Sequence, residues 1–148
     1  MIFKKAKLND LDVLNKLSLN SESYWGEKST FLEKFKKVYI ITPKCLNNSY
    51  IMKMVKDTEI VGFYSLDIKK RELDYFYIKK DLIGQGLGKK MWENMLNNCK
   101  KIGLKKIYFV TSPEAAGFYL SLGAIKIGTV ESKLRKGKFI LKLKYKIM

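Results

Sequence analysis

The stretch LDYFYIKKDLIGQGLGKKMWENMLNNCKK, Leu73–Lys101, decides the fold. Its first residues alternate apolar or aromatic side chains with polar ones, so Leu73–Ile78 reads as a strand. Three glycines follow at alternate positions, Gly84, Gly86 and Gly88. Beyond them Leu87, Met91, Met95, Cys99 and Ile102 form one helical stripe, with lysines and asparagines opposite. Gly103 stands where that helix would stop. Glycine permits positive φ and lets a ligand approach the backbone closely. A helix start adds unpaired N–H groups and the positive end of its dipole. Such a turn suits phosphate or pyrophosphate.

Spacing excludes two nucleotide motifs. A dinucleotide fingerprint needs G-x-G-x-x-G with a carboxylate about 20 residues further on. Here the glycines read G-x-G-x-G, and Leu104–Tyr108 carries no acid. A P-loop needs a glycine ahead of the Gly-Lys pair and a Ser or Thr after it. Those positions around Gly88-Lys89 hold Ile83 and Lys90.

Composition narrows the function classes. A chain of 148 residues can bury the core of a single domain, expected to span residues 1–148. No apolar run is long enough to span a membrane, and MIFKKAKLNDLD lacks a signal peptide's apolar core, so no membrane partner is expected. Cys45 and Cys99 lie far apart with no C-x-x-C pairing, which fits a reduced, cytoplasmic setting. There is no histidine, which removes Ser-His-Asp and Cys-His catalysis and argues against a metal site. The net charge is +16, a value that can mark a nucleic-acid partner. Yet only Arg71 and Arg135 are arginines among the 30 basic residues, and the lysines are spread along the whole chain. A phosphate-reading face more often clusters arginine's bidentate fork. The lysine excess reads as the codon bias of an AT-rich genome, and nucleic acid is not the expected partner.

Taken in order, Met1–Ala6 reads as a strand. Asn9 or Asp10 can cap a helix through about Asn20, with Leu11, Leu14 and Leu17 as its apolar stripe. Ser21–Lys28 is a break holding Tyr24 and Trp25. A second helix covers roughly Thr30–Val38, and Ile40–Asn48 is a connection containing Pro43. Tyr50–Lys56 and Ile60–Ile68 are strands joined by a turn at Asp57-Thr58-Glu59. Lys106–Val110 is a fifth strand, made parallel to Leu73–Ile78 by the helix crossover. In TSPEAAGFYLSLG, Thr111–Gly123, Ser112 can cap a helix, Pro113 fits its first position and Glu114 suits its dipole. Ala124–Val130 and Phe139–Ile147 close the chain as strands. The order βααβββαβαββ gives an α/β domain with a central mixed sheet.

IGQGLGKKMW resembles the acetyl-CoA loop of the GNAT superfamily of N-acetyltransferases, written R/Q-x-x-G-x-G/A. Gly86 and Gly88 match the two small positions, while Ile83 stands where Arg or Gln is usual. A second signature, N-x-x-A-x-x-F/L-Y-x-x-x-G-F, meets Ser112, Ala115, Phe118, Tyr119, Gly123 and Ala124, with Ser112 for Asn and Ala124 for Phe. The element order is also that of the superfamily, so the resemblance covers essentially the whole chain.

The resemblance implies a sheet splayed between its fourth and fifth strands, helices on both faces, and acetyl-CoA as cosubstrate. It places the pantetheine arm against Phe76, Tyr77 and Ile78. A β-bulge N–H there would polarise the thioester carbonyl. The pyrophosphate would lie against Ile83, Gly84, Gln85, Gly86, Leu87, Gly88 and Lys89. Ser112, Glu114 and Phe118 would complete the cofactor contacts, with Phe118 a core aromatic.

Acetyl transfer to a primary amine of a small molecule or protein requires a free amine. An alkylammonium of pKa about 10.4 is neutral only about once in 10³ molecules at pH 7. The departing thiolate needs a proton, and a tyrosine of pKa about 10 is matched to give it. Tyr119 holds the family's position for that acid. Glu72 and Asp74, two residues apart on one strand, are candidates for the base; a water route with no dedicated base is equally acceptable. Tyr24, Trp25 and Glu27 would line the acceptor pocket, and Glu22 with Glu27 could attract a cationic amine. A basic nucleic-acid- or ribosome-associated module with little or no catalysis is the alternative. Exposed C-terminal strands allow a monomer or a homodimer.

Overall fold

In the computed structural model residues 1–26 and 28–148 are described. The strands are β1 (Ile2–Lys5), β2 (Tyr50–Lys56), β3 (Glu59–Asp67), β4 (Glu72–Ile78), β5 (Lys106–Thr111), β6 (Ile125–Glu131) and β7 (Phe139–Lys146). The helices are α1 (Leu11–Glu22), α2 (Ser29–Val38), α3 (Pro43–Asn48), α4 (Leu87–Ile102) and α5 (Pro113–Ser121). One mixed sheet of seven strands runs β1-β2-β3-β4-β5-β7-β6. Every neighbouring pair is antiparallel except β4 and β5, which the α4 crossover makes parallel.

The helix stripe read around the glycines is the one that packs. Leu87, Met91, Met95 and Cys99 are buried against Met54, Leu66, Ile107 and Leu143 of the sheet. Ile102 does not join them and stays exposed in the last turn, before the Gly103 cap. Trp92, buried beside Met91, widens the stripe. Its indole N–H has no hydrogen-bond acceptor among the described residues and its ring meets Tyr145 edge-on at 5.1 Å. The opposite face of the sheet is covered by α1, whose Leu11, Leu14 and Leu17 pack with Ile41, Ile51 and Phe63. On β3, a Cβ at Gly62 would stand 2.9 Å from the Ile78 side chain and 3.0 Å from the Tyr77 carbonyl oxygen.

Two local expectations are corrected. The Ile40–Asn48 connection contains helix α3, because Pro43 occupies its first turn and the Thr42 and Cys45 groups cap each other. Asp10 stands at the start of α1 but does not cap it through its side chain. Its carboxylate instead accepts the Lys7 N–H at 2.8 Å and pairs with Lys53 on β2 at 2.8 Å.

Candidate active site

Parallel strands that share a full ladder leave no room between them; β4 and β5 share one position. Glu72 is in register with Tyr108, whose N–H donates to the Arg71 carbonyl at 2.8 Å. Beyond that point β4 pairs only with β3 through Ile78, and β5 only with β7 through Thr111. The sheet therefore opens toward the C-terminal ends of both strands. The expected splay is present.

The loop after β4 is held at the mouth of this gap. Its Lys80 N–H donates to the Asn20 side-chain oxygen at 2.8 Å, tying it to the end of α1. Leu82 and Ile83 N–H groups close a turn onto Lys79 and Lys80, and the Gln85 amide donates to the Asp81 carbonyl. Ile83, in place of the usual Arg or Gln, packs half-buried against the core. Gly84 and Gly86 have φ of +88° and +82°, a region that other residues enter only with strain. A Cβ on either would meet nothing within 4 Å, so backbone angle, not space, requires glycine there. At Gly88 the reason differs: a Cβ would lie 3.2 Å from the Phe118 ring.

Gly86 is the N-cap of α4, and the first bond of the helix runs from Lys90 N–H to its carbonyl. The N–H groups of Leu87, Gly88 and Lys89 precede that bond, at the positive end of the helix dipole. Gly84, Gln85, Gly86 and Lys89 are exposed, and Leu87 is buried. This open, donor-rich turn beside an unpaired strand edge fits a pyrophosphate followed by an extended arm.

On the α4 side of β4 and β5, beside the gap, lies an aromatic cluster. The Tyr119 ring meets Phe109 at 4.8 Å, Phe118 at 5.1 Å, Trp92 at 5.8 Å and Phe76 at 6.0 Å. The Ser112 hydroxyl caps α5 by accepting the Ala115 N–H at 3.3 Å, Pro113 opens the helix and Glu114 lies exposed in its first turn. Phe118 departs from the expected core role: it is 37% exposed and covers Gly88 and Phe76 from outside. Burial pushes the Tyr119 hydroxyl well above its ordinary pKa, and the Glu22 charge adds to this.

On β4, Phe76 and Ile78 face α4, while Tyr75 and Tyr77 face the α1 side. Tyr77 packs on Phe35 and Phe63, and the Tyr75 hydroxyl donates to the Tyr39 carbonyl at 3.3 Å. Burial, then Glu22, then Tyr119 hold the Tyr77 hydroxyl protonated. Glu22, half-buried at the end of α1, thus acts on Tyr39, Tyr77 and Tyr119 together.

The bulge expected near Tyr77–Ile78 lies elsewhere. Ser65 pairs with Tyr75 and Leu66 with Leu73, leaving Asp74 without a partner on β3. That extra residue interrupts the simple alternation that joined Glu72 and Asp74 to one face. The Asp74 carboxyl is pushed up to about 6, by desolvation first and then by the charges of Glu72 and Asp67. Neither Glu72 nor Asp74 is among the charges acting on Tyr119; Glu22 is.

At the α1 side of the mouth, Tyr24 and Trp25 are exposed in a short 3₁₀ turn and meet edge-on at 4.9 Å. Glu27 lies outside the described residues. The place of Glu22 among these rings is written in space more than in sequence, because tyrosines on β4, α5 and the end of α2 meet its charge only after folding.

A family model described as acetyltransferase (GNAT) domain matches residues 18–140. The chain belongs to the GNAT acetyltransferase family. It is an enzyme of the N-acetyltransferase kind. No curated protein matches this acetyltransferase in sequence. Among solved structures it is similar to a GCN5-related N-acetyltransferase from Rhodopseudomonas palustris, with TM-score 0.83 at 16% identity over 98% of this chain and 94% of that one. It is also similar to the PaiA N-acetyltransferase of Thermoplasma acidophilum in complex with coenzyme A, with TM-score 0.73 at 20% identity over 99% of both chains. The ribosomal-protein-S18-alanine N-acetyltransferase of Escherichia coli aligns with TM-score 0.73 at 14% identity, over 99% of this chain and 93% of that one. At these identities the likeness establishes the fold.

Proposed function

We propose that residues 1–148 form one catalytic domain that transfers an acetyl group from acetyl-CoA to a primary amine of a small molecule or a protein. The single observation that carries the reading is the sheet opened beyond Glu72 and Tyr108 beside the donor-rich start of α4. Acetyl-CoA supplies an acyl group activated as a thioester. The N–H groups at Gly84–Lys89 hold its diphosphate, and the free edge of β4 from Tyr75 to Ile78 holds its arm in the manner of a strand.

The chain's own residues then hold one proton in place and remove another. Tyr119 stays protonated throughout the working pH range, because burial and the Glu22 charge oppose its ionisation. It donates a hydrogen bond to the sulfur as negative charge develops there. Since a thiol has a pKa of about 8.5, complete transfer from so weak an acid is uphill, and the hydrogen bond carries the stabilisation. The amine's proton leaves to a carboxylate, directly or through water. Glu22, whose field reaches Tyr77 and Tyr119, and Asp74, with its raised pKa, are the two candidates. Tyr24 and Trp25 wall the acceptor entrance.

The test is release of free thiol from acetyl-CoA on mixing the enzyme with amines, polyamines, aminoglycosides and peptides with free N-termini. Acceptor-dependent release, abolished by Gly86→Val and slowed by Tyr119→Phe, is the expected result. Release at the same rate with both variants would overturn the assignment of the site.

A further inference from the structure

Four of the lysines scattered along the chain, Lys106, Lys142, Lys144 and Lys146, meet on one face of the sheet. On β5 and β7, Ile107, Phe109 and Leu143 point into the core at 0%, 5% and 0% exposure. The other face of these two strands carries Lys106, Tyr108 and Val110 opposite Lys146, Lys144 and Lys142. Val110 is 47% exposed, and Ile125, opposite Lys144 on β6, is 57% exposed, so this face meets solvent. Lys106 and Lys146 are cross-strand partners, a juxtaposition of like charges that destabilises a sheet unless an anion neutralises it. Neither the Asp10–Lys53 nor the Glu59–Lys79 pair lies there.

The face ends in a concavity of about 550 Å³ lined by Arg71, Lys105, Lys106, Lys144 and Lys146, with no acidic side chain in its lining among the described residues. It lies at the N-terminal end of β5, the end opposite the gap. Glu72 on β4 stands in register with Tyr108 and pairs with Asp67 on β3, so these carboxylates bound the field on that side. Tyr108 stands within the lysines, with Lys106 Nζ 5.9 Å from its ring centre. Basic groups around an aromatic ring on an open sheet face are the elements of a single-strand nucleic-acid platform: phosphates meet the cations and a base stacks on the ring. A second copy of this chain would bring the same lysines against each other, so charge argues against self-association through this face.

We propose that this face binds single-stranded RNA, with Arg71, Lys105, Lys144 and Lys146 on the phosphates and Tyr108 stacking a base. The surface is separate from the acetyl-transfer gap. It makes the enzyme a nucleic-acid-bound acetyltransferase whose gap remains free to work.

The test is fluorescence anisotropy of a labelled single-stranded 12-nucleotide RNA against the full chain between about 50 and 200 mM salt, where each phosphate contact contributes a slope of about −0.7 in log affinity against log salt. Inorganic polyphosphate serves as the second ligand. Lys144→Glu/Lys146→Glu should weaken both ligands tenfold or more and flatten the salt slope. Tyr108→Ala should weaken RNA several-fold, keep the slope and leave polyphosphate binding unchanged. Lys105→Gln/Lys146→Gln, milder at exposed side chains, should weaken RNA and keeps the test valid if the Glu pair fails to fold. RNA binding unaffected by either lysine pair would overturn the site. Equal effects of Tyr108→Ala on RNA and polyphosphate, or none, would overturn the nucleic-acid reading and leave generic anion attraction.

Discussion

Gly86 forbids a side chain by its backbone angle, with open space where a Cβ would point. Gly86→Val should therefore disrupt the donor turn while lowering free-protein stability only by about 1–2 kcal/mol, the strain of one left-handed residue. The check is thermal melting with and without acetyl-CoA, in which the variant loses the ligand-induced rise. Tyr119→Phe should keep that rise and reduce kcat by about 10²-fold or more, the usual scale for losing one hydrogen-bond donor to a developing anion. Unchanged turnover would remove Tyr119 from the chemistry. The pH profile separates the bases. A carboxyl that titrates at about 6 is ionised, and able to accept a proton, only above that pH. If Asp74 is the base, kcat/KM rises through about 6 and Asp74→Asn abolishes that limb; if turnover survives Asp74→Asn and is lost with Glu22→Gln, Glu22 is the base. The glycine turn at Gly84 and Gly86 was legible in the sequence because its spacing is fixed locally. The Asp74 bulge was not, since it depends on which β3 residue each β4 residue faces.

Helix α4 links the site to the core. Its buried Met95 should cost about 2–5 kcal/mol when replaced by alanine, read as a lower midpoint in chemical denaturation with an unchanged slope. The same helix joins the sheet through polar contacts: the Tyr64 hydroxyl donates to Asn94 at 2.7 Å and the Asn98 amide donates to Tyr64 at 2.7 Å. At α1, burial opposes the charge of Asp10, but the bonds from Lys53 and Lys7 outweigh it and its pKa is lowered. Its unfolded value is about 3.9, so this stabilisation is complete above that pH and is lost as pH falls through the lower folded value. Melting temperature against pH should show wild type above Asp10→Asn near neutrality, with the curves converging as pH falls through the lowered folded value. The long elements were legible from their periods of 3.6 and 2. Helix α3 was not, because six residues give no period and its stop signal, Pro43, is also a start signal.

Over the whole molecule, one sheet serves two surfaces at opposite ends of the β4–β5 seam: an open gap at the C-terminal ends and a cationic concavity at the N-terminal end. The strand order made the parallel seam legible in advance. The gathering of lysines did not follow from the chain order, because Arg71, Lys105 and Lys144 meet only through strand pairing. No described helix is long and apolar enough to cross a membrane. The central claim is that the free edge of β4 and the start of α4 receive acetyl-CoA. Amide hydrogen exchange with and without acetyl-CoA tests it residue by residue. The account predicts added protection at Tyr75–Ile78 and Gly84–Lys89, with the β1–β2 amides unchanged. Equal exchange at those amides in saturating acetyl-CoA would contradict it.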